Sequence, residues 1–378
     1  MTAASRPLRL LVAAGGTGGH IFPALAVVEQ LETDAEGALD VTFLGSANRM
    51  EATMIPRYGY SYTAMPIRGF TGLFRWATLA LPWRILASEL IALRVMKQFR
   101  PDVVLATGAY ISYPVGRVAT RLGIPLVLME SNVNPGKTNA ALAPQATAII
   151  ATFAESVQMF SGVSPKRIHV FGNPVRKQIF QAPLKAAARQ QLGLMEETPT
   201  VLVVGGSLGA RSINQAVQAM VHRWASTRTA PAFQMIWQTG ADFTPNIAPH
   251  LQNHIITTPF LESMGTAYAA ADLVVSRSGA TTIAELGVMG LPAVLVPLPS
   301  ASTNEQRRNA EIVERSGAAI VVDDAELKNS LADVIEALMV DRRRREMMAS
   351  AMRTLGKPMA AEHAAQLIRQ LAHEHSAS

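Results

Sequence analysis

The chain has 378 residues, which favours two domains over one, and its 49% hydrophobic and 16% charged residues are typical of a folded protein. It contains no cysteine, which excludes disulfides, thiolate metal ligands and cysteine nucleophiles. The net charge of +6 favours an anionic partner, and the sequence predicts neither a signal peptide nor a membrane-spanning segment.

The first predicted element is a buried strand at residues 8–14, and it runs into a glycine-rich turn. Four of the five residues in 15–19 are glycine, His20 follows them, and apolar residues fall at helical spacing from Ile21 onward. Glycines before a helix allow a ligand to approach closely, and the unpaired N–H groups of a helix start suit a phosphate. The pattern is neither G-x-G-x-x-G nor a P-loop, and an ordinary strand-to-helix turn is the alternative.

Residues 67–101 mix basic and apolar residues. Between residues 68 and 100 there are six basic residues and one acidic residue, a net charge of +5. The basic residues, and the large apolar residues that lie among them, are Arg68, Phe70, Leu73, Phe74, Arg75, Trp76, Leu79, Trp83, Arg84, Arg94, Lys97 and Arg100. This mixture predicts contact with an anionic membrane surface; the alternative is a domain helix whose apolar face belongs to the core.

Strands alternate with helices along the rest of the chain, and a second glycine turn, "GGSLGA", stands at 205–210. Further strands are predicted at 41–45, 62–67, 103–108, 125–130, 148–152, 200–205, 233–239, 254–258, 273–276, 293–297 and 319–323. The alternation predicts an α/β fold of two Rossmann-like domains with parallel sheets, facing a cleft with a glycine turn on each side. Because Asn173-Pro174 breaks regular structure, the expected domains are 1–173 and 174–357.

Several of these motifs together resemble one known family. "GGTGGH", "GNPVR", "GGSLGA" and "RSGATTIAELGVMGLPAVLVPLP", followed by "NEQRRNA", are similar to motifs of the MurG family of GT-B glycosyltransferases. The resemblance implies transfer of N-acetylglucosamine from UDP-N-acetylglucosamine to lipid I, the undecaprenyl-pyrophosphoryl-linked muramyl pentapeptide, to give lipid II. It also implies a peripheral enzyme at the cytoplasmic face of the bacterial plasma membrane, with residues 358–378 packed back on the first domain.

The resemblance carries binding residues onto this chain. The matching positions, all expected to bind the donor, are Thr17, Gly18, Gly19, Asn132, Arg176, Ser207, Leu261, Ala280, Thr281, Thr282, Ile283, Ala284, Glu285 and Gln306. By the resemblance, backbone amides near Leu261 meet the uracil, Glu285 binds the ribose hydroxyls, and Gln306 binds the donor sugar. The first domain then serves the acceptor and membrane, and the second serves the UDP-sugar.

His20 is the candidate general base, because the ordinary histidine pKa of about 6.5 suits proton transfer near neutral pH. The alternatives are that His20 caps the helix or binds an acceptor sugar, with Glu130 the next candidate base. No Asp-x-Asp is present, so no metal or other cofactor is expected, and helix N-termini with Arg176 would stabilise the leaving diphosphate. A hinge ion pair is the alternative role of Arg176.

Other functions remain open at this stage. A glycosyltransferase for another lipid acceptor, such as diacylglycerol, and a UDP-N-acetylglucosamine epimerase share the fold, and a nucleotide sensor would lack turnover. An NAD dehydrogenase is disfavoured because the fingerprint is missing. Nucleic acid is disfavoured because the basic and aromatic residues concentrate in one apolar stretch.

Overall fold

The computed structural model describes residues 6–34, 38–67, 81–206, 209–228, 230–299 and 304–377. The chain forms two compact units. The first comprises Met1–Arg176 with Pro358–Ser378, and the second is Lys177–Lys357. The boundary therefore follows Arg176, whereas the sequence analysis placed it after residue 173.

The first unit contains seven parallel strands among its described residues, in the spatial order β3-β2-β1-β4-β5-β6-β7. They are β1 (Leu8–Ala13), β2 (Leu39–Ser46), β3 (Ser61–Met65), β4 (Val103–Ala106), β5 (Leu126–Glu130), β6 (Ala148–Ala151) and β7 (Ile168–Val170). Its α-helices are α1 (Gly18–Thr33), α2 (Met50–Arg57), α3 (Leu81–Phe99), α4 (Ser112–Arg121), α5 (Lys137–Leu142) and, near the end of the chain, α14 (Ala360–Ala377).

The second unit contains six parallel strands in its described part, in the order β10-β9-β8-β11-β12-β13. They are β8 (Thr200–Val204), β9 (Gln234–Gln238), β10 (Ile255–Thr258), β11 (Leu273–Ser276), β12 (Ala293–Leu295) and β13 (Ala319–Val321). Its α-helices are α6 (Lys177–Phe180), α7 (Lys185–Gln191), α8 (Arg211–Thr227), α9 (Met264–Ala270), α10 (Ala280–Met289), α11 (Glu305–Arg315), α12 (Leu327–Val340) and α13 (Arg342–Leu355).

Burial on both faces explains why the first strand is almost wholly apolar. Leu10 and Val12 pack into a core that includes residues of α1 and α14, whereas Leu11 and Ala13 pack into a second core with α3 and α4. Helices thus cover both faces of the sheet, as parallel sheets require. Helix α14 lies along α1, where Arg369 Nη2 donates to the Leu31 carbonyl at 2.7 Å.

Each glycine turn lies where the strand order reverses. β1 pairs with β2 on one side and β4 on the other, and β8 pairs in the same way with β9 and β11. In open α/β sheets, this switch point at the carboxyl ends of the strands is where ligands bind. The topology therefore places one expected ligand loop in each unit.

Every predicted strand is present, with ends that differ by a few residues, and the sequence analysis missed only one described strand, β7. That strand has three residues, Ile168, His169 and Val170, and the central histidine interrupts its apolar run. Helix α1 begins at Gly18 rather than near Ile21. His20 therefore lies in the first turn of α1.

Candidate functional site

A buried carboxylate, which was not predicted from the sequence, holds the first glycine loop by a hydrogen bond. Glu51 is fully buried. Its Oε2 accepts from the Gly16 N–H at 3.2 Å, and its Oε1 accepts from the N–H and the hydroxyl of Ser46 at 3.2 and 2.5 Å. A Cβ at Gly15 would lie 2.4 Å from Glu51 Oε1, which explains that glycine. The only sequence signal was a lone acidic residue shortly after β2.

His20 has a defined tautomer. Its Nδ1 lies 2.7 Å from the carbonyl oxygen of Thr107, at the end of β4. Because a carbonyl only accepts, Nδ1 carries the proton, and in the neutral ring the lone pair is then on Nε2. Thr17, the exposed N-cap residue of α1, makes no capping bond with its side chain. The loop thus presents a hydroxyl, backbone N–H groups and an imidazole from one helix start.

Asn132 lies in a loop that Glu130 organises. The buried Glu130 carboxylate accepts from the N–H groups of Asn132 and Gly136 at 2.9 and 3.0 Å, and from Asn139 Nδ2 at 2.8 Å. These three hydrogen bonds engage both carboxylate oxygens. Glu130 is therefore a poor second candidate for the general base, and its visible role is to shape the Asn132 loop.

Arg176 is bound within the first unit. Its Nε and Nη2 donate to Glu29 Oε1 at 3.0 and 2.7 Å, and its Nη1 donates to the Tyr58 hydroxyl at 2.8 Å. The guanidinium also lies over the rings of Tyr58 and Phe22, at 4.8 and 5.9 Å from the centroids. The Glu29 carboxylate and the Tyr58 hydroxyl raise the pKa of Arg176, although desolvation, the largest single effect, lowers it. Arg176 therefore forms an ion pair, which is the role that the sequence left open as the alternative to stabilising the leaving diphosphate.

The second glycine loop packs closely against its neighbours. Ser207 lies outside the described residues, but the flanking glycines are placed. Gly206 and Gly209 have φ values of +101° and +77°, and a Cβ at Gly209 would lie 2.4 Å from the Thr239 carbonyl. A Cβ at Gly205 would lie 2.3 Å from the backbone nitrogen of Ala210, the N-cap residue of α8. These positions require glycine because the turn brings backbone against backbone.

Helix α10 carries six of the expected donor residues, Ala280 to Glu285. Ala280 and Ile283 are buried, whereas the other four are partly exposed. The Glu285 carboxylate accepts a hydrogen bond from the hydroxyl of Tyr268 at 2.9 Å. Tyr268, on α9, was not identified from the sequence.

Gln306 lies in the first turn of α11, and Leu261 lies in the loop after β10. The Ser278 hydroxyl donates to the Gln306 carbonyl at 2.7 Å, and the Gln306 side chain accepts from the Leu298 N–H at 3.0 Å. Leu261 is buried just after β10. Because all six strands are parallel, the glycine loop, Leu261, the start of α10 and Gln306 lie at the same carboxyl edge of the second sheet.

In the first unit, the glycine loop, His20 and Asn132 likewise follow the carboxyl ends of β1 and β5. Of the basic apolar stretch, Arg68, Phe70, Leu73, Phe74, Arg75, Trp76 and Leu79 lie outside the described residues. Among the residues that are described, no group of three His, Asp or Glu side chains is placed to hold a metal ion. Nor is any described helix long and apolar enough to cross a membrane.

Comparison with known proteins identifies the family. The N-terminal domain model of glycosyltransferase family 28 matches residues 10–151, and the C-terminal domain model matches residues 200–368. A Porphyromonas gingivalis (strain W83) protein is 35% identical over 378 residues, 98% of each chain. Its name is UDP-N-acetylglucosamine--N-acetylmuramyl-(pentapeptide) pyrophosphoryl-undecaprenol N-acetylglucosamine transferase. A Chlorobaculum tepidum protein of the same name is 37% identical over 96% of this chain and 98% of its own length.

The crystal structure of Acinetobacter baumannii MurG superposes with a TM-score of 0.75 at 29% identity, covering 96% of this chain and 100% of that one. The chain belongs to the MurG family of glycosyltransferases. The resemblance seen in the motifs is thereby confirmed, as is the α/β GT-B fold class with two parallel sheets. Membership of the MurG family makes the chain a transferase rather than an epimerase or a sensor without turnover.

Proposed function

We propose that this MurG-family enzyme transfers N-acetylglucosamine from UDP-N-acetylglucosamine to the muramyl sugar of lipid I, releasing UDP and inverting the anomeric centre. The observation that carries the proposal is the likeness, over 98% of the chain, to transferases named for these substrates. The second unit takes the donor and the first takes the acceptor. No divalent metal is needed.

His20 acts as the general base in this mechanism. Its Nδ1–H is anchored on the Thr107 carbonyl, so Nε2 is the atom that receives the proton of the acceptor hydroxyl. As that proton leaves, the acceptor oxygen bonds to the anomeric carbon, and the bond from this carbon to the diphosphate oxygen breaks. The electron pair of the broken bond leaves with UDP.

The starts of α8 and α10 would stabilise the charge on the departing diphosphate. Both follow strands at the switch point of the second sheet, and both present backbone N–H groups after glycine, at Gly209 and Gly279. Helix N-termini carry partial positive charge and suit phosphate oxygens without a metal. Contact between Arg176 and the diphosphate stays a prediction, because it requires phosphate to replace Glu29 as the partner of the guanidinium.

Helix α3 supports a peripheral membrane contact at the cytoplasmic face of the bacterial plasma membrane. Trp83, Leu86 and Leu90 are 74%, 48% and 59% exposed, and their spacing places them on one face of the helix. Arg94 and Lys97 continue that face and are exposed. An apolar stripe next to basic residues suits the surface of an anionic bilayer, where a lipid-linked acceptor resides.

The test is transfer of labelled N-acetylglucosamine from UDP-N-acetylglucosamine to a short-chain lipid I analogue, in the presence of a chelator and without added metal. The proposal expects product with the inverted linkage. A parallel reaction with diacylglycerol tests the alternative acceptor, and an assay for UDP-N-acetylmannosamine tests epimerisation. Product from either control but not from lipid I would contradict the proposed substrate. Loss of turnover on chelation, restored by magnesium, would contradict the metal-free mechanism.

A further inference from the structure

A buried tyrosine contacts the Glu285 carboxylate, which is expected to bind the ribose hydroxyls. Tyr268 is 1% exposed, and its hydroxyl donates to Glu285 Oε2 at 2.9 Å. Burial and the nearby carboxylate raise the pKa of Tyr268 well above its usual 10.0, so the phenol stays protonated and remains a donor throughout the working pH range. Glu285 itself is only partly buried, in the second turn of α10.

Helix α9, which carries Tyr268, begins directly after the segment expected to meet the uracil. That segment is held by Gln238, whose Nε2 donates to the Pro259 carbonyl at 3.0 Å, and by Thr258, whose hydroxyl donates to the Phe260 carbonyl at 2.7 Å. Ser263 caps α9 by accepting from the Thr266 N–H at 3.2 Å. The segment expected to meet the uracil therefore leads directly into the helix that carries Tyr268, and side-chain hydrogen bonds hold this part of the chain in place.

The same helix is fixed against its own unit. A Cβ at Gly265 would lie 2.7 Å from the Gln178 carbonyl, so α9 approaches the α6 backbone too closely for a side chain there. The Tyr268 hydroxyl is thus a rigidly placed donor, whereas a glutamate has three side-chain torsions to restrain. A carboxylate already restrained loses less conformational freedom when a ligand binds.

We propose that Tyr268 is a positioning residue that holds the Glu285 carboxylate in the orientation that accepts the ribose hydroxyls. It thereby gives the enzyme its preference for ribonucleoside over 2′-deoxyribonucleoside diphosphates. The proposal rests on the proposed ribose contact of Glu285. Tyr268 acts through that carboxylate and does not touch the nucleotide.

Calorimetry on the full chain tests this with UDP and 2′-deoxy-UDP as probes. Tyr268→Phe keeps the buried ring and removes only the hydroxyl, and thermal unfolding checks that the variant is folded. The expected result is UDP binding weakened by about 3- to 30-fold, with 2′-deoxy-UDP binding weakened less than UDP binding, so that the preference for UDP shrinks. Tyr62→Phe is the matched control, because it removes a hydroxyl donated to the Ser46 carbonyl in the other unit, and it leaves UDP affinity unchanged.

Glu285→Ala distinguishes the positioning role of Tyr268 from the ribose contact of Glu285. Because Glu285→Ala removes every acceptor atom of the side chain, Tyr268→Phe is expected to add no further loss of UDP affinity in the Glu285→Ala background. If Glu285→Ala weakens UDP binding but Tyr268→Phe does not, or weakens both probes equally, the positioning role is overturned and the ribose contact stands. If Glu285→Ala leaves UDP affinity unchanged, the ribose contact itself is wrong, and the role of Tyr268 is overturned with it.

Discussion

Replacing His20 by asparagine separates its anchoring contact from its proposed chemistry. The asparagine amide has an N–H that can donate to the Thr107 carbonyl, as Nδ1 does at 2.7 Å, but it has no atom that takes up a proton near neutral pH. Loss of a general base lowers kcat by about 10²–10⁴-fold. At about 1.4 kcal/mol per tenfold, this corresponds to about 2.8–5.6 kcal/mol of barrier. UDP affinity is expected to change little because Leu261 and Glu285, which are expected to meet the uracil and the ribose, belong to the second unit.

The assay is the initial rate with a short-chain lipid I analogue at saturating donor, measured from about pH 5.5 to 9. A general base must be unprotonated to act, so the wild-type enzyme is expected to lose activity on the acid side of its pH profile. His20→Asn is expected to lack that limb. His373→Asn, which removes an exposed histidine of α14, serves as the control and keeps the limb.

A different outcome would refute the role of His20. If His20→Asn keeps a near-normal kcat and only raises the KM for the acceptor, His20 binds the acceptor and another group is the base. Glu130 is not a good replacement, because three N–H donors already engage its carboxylate.

Three further predictions concern the first glycine loop, the membrane contact and acid stability. Glu51→Gln replaces one of the two acceptor oxygens that hold the loop, including the partner of the partly buried Gly16 N–H, at about 1–3 kcal/mol. The thermal midpoint should therefore fall and the acceptor KM should rise while UDP affinity is unchanged; an unaltered midpoint and KM would contradict the loop-holding role. Trp83→Ser with Leu90→Ser should reduce co-sedimentation with phosphatidylglycerol vesicles, whereas Leu184→Ser, at a still more exposed leucine of the other unit, should not. Burial lowers the pKa of His169 below its usual 6.5, so the unfolded chain binds a proton that the folded chain does not. Stability should therefore fall as the pH drops through about 6.5, and His169→Gln should flatten that part of a denaturation-versus-pH series; an unchanged slope would show that other groups cause it.

Local patterns were sufficient for most of the fold. Apolar runs marked the strands, helical spacing marked the intervening helices, and their alternation led to two parallel sheets. The two glycine clusters marked the loops at the switch points, because backbone turns of positive φ and close approach leave a direct trace in residue type. Strand β7 had no such trace, since His169 divides its apolar residues, whereas the equally short β13 has an unbroken apolar sequence.

The contacts that give the site residues their roles could not be read from the sequence. His20 meets the carbonyl of Thr107, and Arg176 meets Glu29, across 87 and 147 residues of chain. Even Tyr268, only 17 residues from Glu285, reaches it because two helices of the second unit pack together. Sequence motifs identified the side chains able to bind the substrates and transfer a proton, because residue type determines which atoms donate, accept or take up a proton. Only the tertiary structure decided which partner each group holds, since partners distant in sequence are brought together by the packing of strands and helices and not by any local period.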